Sequence, residues 1–199
     1  ITVFVGLVAV GIAAVVGVPL GILAGMRRGT WADALVMRGA DLLLAFPALL
    51  LAIIAGAVWG PSTLTAMIAI GIAGIPSFAR VARSGTLQVI TQDYISSARI
   101  SAVPGWKVAW RHILPNLAGL LIVQASVYFA LAILAEAGLS YLGLGTAPPA
   151  ASWGRMLQDS QSLLGTAPLQ AFWPGLAIAA TVLGFNPVSY THLRAHETP

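Results

Sequence analysis

The chain has 199 residues, of which 58% are hydrophobic and only 8% are charged, and its mean hydropathy is +0.90. This composition excludes a soluble domain and indicates a polytopic membrane protein. The formal net charge of +4 reflects few acidic residues, and the basic ones are divided among several loops, so nucleic-acid binding is not expected. The absence of cysteine excludes disulfides and thiolate metal sites.

Apolar runs predict an all-α transmembrane bundle with about five spans. The first four runs approach the length of about 20 residues that crosses a bilayer, whereas the fifth is short. Because Ile1 is not an initiator methionine and already lies in an apolar run, we expect the N-terminal part of the protein to be missing. The five predicted spans are residues 1–26, 42–59, 63–78, 113–135 and 172–185.

Small residues recur every four positions in the first span. This stripe predicts a face where a neighbouring helix packs at close range, although small residues are also generally common in membrane helices. It consists of Ala13, Gly17, Gly21 and Gly25. Prolines inside the spans or near their ends predict kinks at Pro19, Pro47 and Pro76.

Basic residues are divided unequally between the loops if the spans cross in alternating directions. The loops at 27–41 and 79–112 share one side and carry eight basic residues. The turn at 60–62 and the loop at 136–171 share the other side, where Arg155 is the only basic residue. Because basic residues concentrate in cytoplasmic loops, the loop at 79–112 is predicted to be cytoplasmic.

The polar segment between the third and fourth spans predicts two short helices separated by a break. Thr91 can cap the first helix, Asp93 lies in its first turn, and Pro104 with Gly105 ends it. The second helix is predicted to be amphipathic and to lie at the membrane surface. Its apolar face carries Trp106, Trp110 and Ile113, and another face carries Lys107 and Arg111.

Several motifs make this chain similar to a known family. The polar segment contains Asp93-Tyr94-Ile95-Ser96-Ser97-Ala98-Arg99 and Arg111-His112-Ile113-Leu114-Pro115-Asn116, and a later segment reads Glu136-Ala137-Gly138-Leu139-Ser140-Tyr141-Leu142-Gly143-Leu144-Gly145. These motifs resemble those of inner-membrane permease subunits of binding-protein-dependent ABC importers, in the dipeptide, oligopeptide and nickel branch. The resemblance runs from the first span to Asn186.

The resemblance implies that the segment 91–115 is a coupling loop, which docks in a groove of a cytoplasmic ATPase. The residues assigned to it are Asp93, Ser96, Ser97, Ala98, Arg99, Ala102, Arg111 and Pro115. Two positions depart from the family pattern. Ser96 replaces the usual glutamate and removes a possible salt bridge, while Ala102 replaces a glycine and cannot adopt positive φ as glycine can.

The polar residues of the fourth span have two interpretations each. Gln124 and Tyr128 lie one turn apart on one face, where they line a substrate path or, as we favour, form interhelical hydrogen bonds. Glu136 closes the span on the outer side, either in contact with cargo or a delivery protein, or as a solvated helix end. No ionisable residue lies deep within a span, which argues against an ion-coupled secondary transporter.

By resemblance, the chain is the permease subunit of an ATP-driven importer in a bacterial inner membrane, for dipeptides, oligopeptides, glutathione or nickel. The expected partners are a second permease subunit, cytoplasmic ATPase subunits, an extracytoplasmic solute-binding protein and membrane lipid. No phosphate-binding G-x-x-x-x-G-K-[ST] loop occurs, so ATP and magnesium are assigned to the ATPase and no cofactor to this chain. An intramembrane enzyme is not favoured, because no catalytic constellation is evident.

The last thirteen residues, 187–199, differ in composition from the apolar run before them. Pro187 interrupts the fifth span, and the segment resembles a peptide that recurs at the ends of unrelated translated sequences through vector read-through. We therefore interpret 1–186 as the transmembrane domain and 187–199 as a non-native tail. His192 and His196 are four residues apart, but a third metal ligand is not evident and no metal site is predicted.

Overall fold

A computed structural model describes residues 1–95 and 101–185 of the chain, and this part is helical. Three helices are long and apolar enough to cross a membrane, and a bent pair of shorter helices would make a fourth span. The helices are α1 (Thr2–Met26), α2 (Trp31–Leu44), α3 (Ala48–Trp59), α4 (Thr63–Val89), α5 (Gly105–Tyr141), α6 (Trp153–Ser160) and α7 (Leu169–Phe185). The all-α bundle that the sequence predicts is confirmed.

The second predicted span, 42–59, is not one straight helix. Helix α2 begins at Trp31, within the predicted loop, and ends at Leu44, and α3 leaves it at an angle of 81°. Pro47 stands directly before α3. Its ring fixes φ, removes a backbone donor and disfavours helical geometry in Phe46, which together favour a break at this position.

Helices α4 and α5 extend beyond the predicted spans. Helix α4 continues past Phe78 to Val89, and Pro76 lies inside it. The predicted surface helix around Trp106 is not separate from the fourth span, because α5 is continuous from Gly105 to Tyr141. Its turn at Ala109–Ile113 is a π-helix. The fifth predicted span corresponds to α7, which has 17 residues.

Close packing of α1 on α4 forms the centre of the bundle. A Cβ atom added at Gly17 would lie 2.6 Å from the Ile75 carbonyl oxygen, and one added at Gly25 would lie 2.6 Å from Thr86 Cβ. Gly21 faces Ala79 in the same way. The small-residue stripe is therefore a packing face, as predicted, and the helix that it receives belongs to the same chain.

Hydrogen bonds also join elements at the end of the bundle that holds the turn 60–62. Ser62 caps α4 by accepting from the Thr65 amide at 3.1 Å. The Trp153 amide at the start of α6 donates to Thr2 Oγ1 at 3.1 Å. This end of the bundle therefore contains both loops that the alternating arrangement assigned to one side.

Candidate functional site

The described residues of the segment 91–115, which are 91–95 and 101–115, lie at the end of the bundle opposite the turn 60–62. Ser96, Ser97, Ala98 and Arg99 lie outside the described residues, so their predicted role stays a prediction. Thr91 does not take its predicted position as the cap of the next helix, because its hydroxyl donates to the Gln88 carbonyl oxygen at 2.8 Å and closes α4. Helical structure resumes at Asp93, which is exposed.

Three apolar side chains anchor this segment in the bundle. Ile95, Val108 and Ile113 are each at most 1% exposed and belong to one core cluster with Ile22 and Phe78 of α1 and α4. Burial of such side chains contributes about 1.5–3 kcal/mol each. The segment is therefore packed directly against α1 and α4 through these side chains.

The other face of the segment is polar and accessible. Tyr94 is 44% exposed, and its ring lies 6.3 Å from that of His112. Arg111 and Pro115 are also exposed, on the first turns of α5. The segment thus has a buried face towards the bundle and a free face with aromatic and basic side chains, which is an arrangement suited to docking a partner.

Helix α5 widens where the segment joins the span. The Leu114 amide donates to the Ala109 carbonyl oxygen, five residues earlier. Pro115 has no amide hydrogen, so it cannot continue the helical bonding, and the Asn116 side-chain amide instead donates to the His112 carbonyl oxygen at 2.6 Å. Single π-helical turns of this kind are frequent at functional sites.

Ala102 adopts a positive φ, which the sequence analysis did not expect for alanine. Its φ is +55°, in the left-handed region. The expectation that alanine does not adopt positive φ is therefore wrong at this position, where the steric cost of the Cβ atom is about 1–2 kcal/mol. The effect of Ala102 on docking stays a prediction.

Two ion pairs that the sequence analysis did not identify hold α2 against α4 beside this segment. Asp33 accepts two bonds from Arg83, at 2.7 and 2.9 Å, and a third from the Gly29 amide at 3.1 Å. Asp41 pairs with Arg80 on the same two helices. The sequence signal for these ion pairs is the presence of two acidic residues in the loop 27–41 and two basic residues in α4. Which residues pair depends on the fold.

Gln124 and Tyr128, near the middle of α5, have different environments. Tyr128 is buried, and its hydroxyl donates to the Ile70 carbonyl oxygen of α4 at 2.5 Å. Its ring packs against Gly74, where an added Cβ would lie 2.6 Å from the Tyr128 hydroxyl oxygen. This supports the interhelical hydrogen bond that we favoured for Tyr128. Gln124 is half-buried, and its place on a substrate path stays a prediction.

Glu136 is fully buried, so its interpretation as a solvated helix end is wrong. Its Oε1 atom accepts from the Ser140 hydroxyl at 2.6 Å and from the Thr146 hydroxyl at 3.2 Å. Thr63 donates in turn to Thr146 at 3.3 Å. The chain folds back after α5 and covers the Glu136 carboxyl group. The hydrogen bonds of this carboxyl group and of Thr146 connect the 139–146 turn to the ends of α4 and α5. Its Oε2 atom has no partner among the described residues.

Comparison with known proteins identifies the family. The chain belongs to the binding-protein-dependent transport system inner membrane components, whose family model matches residues 17–197. The match passes the domain boundary predicted at residue 186, and the interpretation of 187–199 as a non-native tail stays a prediction. Family membership confirms the resemblance drawn from the motifs and does not favour an ion-coupled secondary transporter.

Relatives and a solved structure agree with this assignment. The chain is 41% identical over 184 residues to the dipeptide transport system permease protein DppC of Alkalihalophilus pseudofirmus, covering 92% of the chain and 60% of the relative. It is 41% identical over 181 residues to the glutathione transport system permease protein GsiD of Pectobacterium atrosepticum, covering 91% and 60%. The chain thus spans about 60% of the length of the curated relatives it matches.

The fold is similar to that of a chain of the MetNI methionine ABC transporter in inward facing conformations. The TM-score is 0.76, and the similarity covers 98% of this chain and 92% of that chain, at 17% sequence identity. At this identity the similarity shows the fold alone. The helical arrangement is therefore similar to that of this ABC transporter chain.

Proposed function

We propose that the chain is the permease subunit that forms the translocation path of an ATP-driven importer for peptides or related small solutes. Two observations support this proposal: the family, and the names of two relatives, which are a dipeptide and a glutathione transport system permease protein. The observation that carries it is the anchoring of the described residues of the segment 91–115, whose buried side chains belong to the core while Tyr94, Arg111 and Pro115 are exposed. Oligopeptides and nickel remain among the solutes that the motifs suggest.

The proposal assigns ATP hydrolysis to separate subunits. A permease of this kind would work with a second permease subunit, cytoplasmic ATPase subunits that use ATP and magnesium, and an extracytoplasmic solute-binding protein. The segment 91–115 would dock on the ATPase at the cytoplasmic face, and closure of the ATPase would move α1 and α4 through Ile95 and Ile113. No cofactor is assigned to this chain.

Substitutions in the segment test the coupling role. Ala98→Glu should block close approach of the ATPase, and Arg99→Glu should invert a local charge. Membrane insertion should stay intact, because both positions lie outside the spans. In reconstituted complexes we expect both variants to lose transport and solute-receptor-stimulated ATP hydrolysis, and to recover less ATPase on purification. Ser96→Glu, which restores the family residue, should be tolerated or strengthen assembly.

Arg38→Glu is the matched control, because Arg38 is an exposed basic residue on the same side of the bundle but outside the segment. It should assemble and transport like the parent. If Ala98→Glu and Arg99→Glu also assemble with the ATPase and transport at the parent rate, the segment is not the coupling element and the proposed function loses its main support.

A further inference from the structure

An apolar groove of about 920 Å³ runs along the surface between α1 and the first turns of α5. We call it the α1–α5 groove. Helix α1 lines it from Ala14 to Arg27, a length of about 20 Å at 1.5 Å per residue. This length exceeds half of the hydrocarbon core of a bilayer, which is about 30 Å thick. The groove can therefore accommodate an extended hydrocarbon chain of one leaflet.

The walls of the groove are aliphatic and aromatic. Val18 and Ile22 of α1 form its floor with Leu114 of α5, while Trp106 and Trp110 form its rim. Both tryptophans are about two-thirds exposed, at 65% and 67%. Indole side chains concentrate where the hydrocarbon of a membrane meets its headgroups. Their position therefore marks one end of the groove as the headgroup end.

The same end is positively charged. Arg27 lines the groove where α1 ends, and Gly105 lies beside Met26, since a Cβ added there would be 3.5 Å from Met26 Cε. Lys107 follows, with its Nζ atom 5.6 Å from the centre of the Trp106 ring. Arg27 and Lys107 are exposed, and neither forms an ion pair within the described part of the chain.

We propose that the α1–α5 groove binds one anionic phospholipid, with an acyl chain along α1 and its phosphate between Arg27 and Lys107. The apolar floor favours a hydrocarbon, and the exposed cations at one end favour an anion, so a phospholipid matches both. Basic pockets between transmembrane helices recognise anionic headgroups in this way. The site does not depend on the proposed transport function, although the proposed orientation would place it in the cytoplasmic leaflet.

Native mass spectrometry of the assembled transporter, titrated with phosphatidylglycerol or phosphatidylcholine, tests the proposal. We expect the parent to bind one phosphatidylglycerol per copy of this chain in preference to phosphatidylcholine. The double substitution R27Q/K107Q should weaken phosphatidylglycerol binding about 30-fold, because each basic residue near a membrane surface contributes about 1 kcal/mol to anionic lipid binding. Ala14→Phe should narrow the groove and weaken binding of both lipids.

Matched controls separate the site from general effects. Arg38→Gln removes an exposed charge from the same side of the bundle, and Leu7→Phe enlarges an exposed residue of α1 beyond the groove, so both should bind lipid like the parent. The proposal is overturned if R27Q/K107Q retains phosphatidylglycerol with parental affinity, or if the parent binds both lipids equally. It is also overturned if a cysteine at Val15 cross-links efficiently to another protein subunit, because protein then covers the groove.

Discussion

Some polar side chains of this chain are held by hydrogen-bond partners that are close in space but distant in sequence. Glu136 is covered by Thr146, ten residues later, and Tyr128 reaches a carbonyl oxygen 58 residues earlier. In a medium without water, an unsatisfied polar group costs several kcal/mol, so such partners decide where a polar side chain can lie. Burial of Glu136 by the 139–146 turn follows from this requirement.

The left-handed conformation of Ala102 predicts that glycine is the better residue at this position. Ala102→Gly removes the Cβ clash, worth about 1–2 kcal/mol, and loses part of that gain because glycine is more flexible in the unfolded chain. We expect a net stabilisation of about 0.5–1 kcal/mol, measured as a higher midpoint of thermal unfolding in detergent. Ala109→Gly is the matched control, since Ala109 has helical φ and ψ.

Because glycine is unfavourable inside a helix, Ala109→Gly should lower the unfolding midpoint by the equivalent of about 1 kcal/mol. The two substitutions remove the same methyl group within seven residues of one another, so opposite signs isolate the backbone effect. Equal destabilisation by both would show that Ala102 is not strained.

Prolines act differently according to their place in a helix. Pro47 separates α2 from α3 at an angle of 81°, whereas Pro19 and Pro76 lie inside helices that continue through them. In a tightly packed bundle, neighbouring helices hold the two halves of a proline-containing helix in line, and local hydrogen bonds adjust. The pair α2 and α3 instead bends at the break before Ala48, where Pro47 stands directly before α3.

The contact between α1 and α4 predicts opposite effects for two glycines of one helix. A Cβ at Gly21 would lie 2.8 Å from Ala82 Cβ and closer still to the Ala79 carbonyl, whereas a Cβ at Gly11 would meet nothing within 4 Å. Gly21→Ala should therefore destabilise the fold by about 1–3 kcal/mol through overpacking. Gly11→Ala should be neutral or stabilise it by up to about 1 kcal/mol through helix propensity.

Thermal unfolding and the yield of folded protein after solubilisation measure both changes. A lower midpoint for Gly21→Ala with an unchanged or higher midpoint for Gly11→Ala supports the packing face. If both substitutions raise the midpoint, α1 and α4 do not pack as closely as described.

The whole molecule has two chemically distinct ends. Arg80 and Arg83 of α4 meet acidic residues of α2 at one end, and the Glu136 network closes the other. The eight basic residues of the loops 27–41 and 79–112 lie at the first end in the sequence-based arrangement. The positive-inside rule then predicts that this end is cytoplasmic.

Cysteine labelling checks this orientation on a background that contains no cysteine. Gln92 and Ser162 are exposed and lie outside the α-helices at opposite ends, so Gln92→Cys and Ser162→Cys are suitable sites. Gln158 is less suitable, because it is half-buried and accepts a hydrogen bond from Arg155 at 2.9 Å. An impermeant thiol reagent applied to intact cells should label Ser162→Cys and spare Gln92→Cys until the membrane is opened. Preferential labelling of Gln92→Cys would reverse the orientation.

The sequence by itself determined the class, the approximate spans and the packing face of α1. Long apolar runs have few stable alternatives to membrane helices, because every backbone polar group must be satisfied within the segment. Glycines at four-residue spacing leave a groove on any helix that contains them, whatever helix fills it. The motifs from Asp93 to Asn116 and from Glu136 to Gly145 identified the family before any geometry was known.

Only the tertiary structure decided which partners these elements meet. The glycine face of α1 receives α4, Asp33 pairs with Arg83 across 50 residues, and Glu136 is covered rather than solvated. The continuity of α5 from Gly105 to Tyr141 and the left-handed φ of Ala102 were also not part of the sequence pattern. Such features result from contacts between distant segments, whose free energies outweigh the local preferences that a sequence pattern reports.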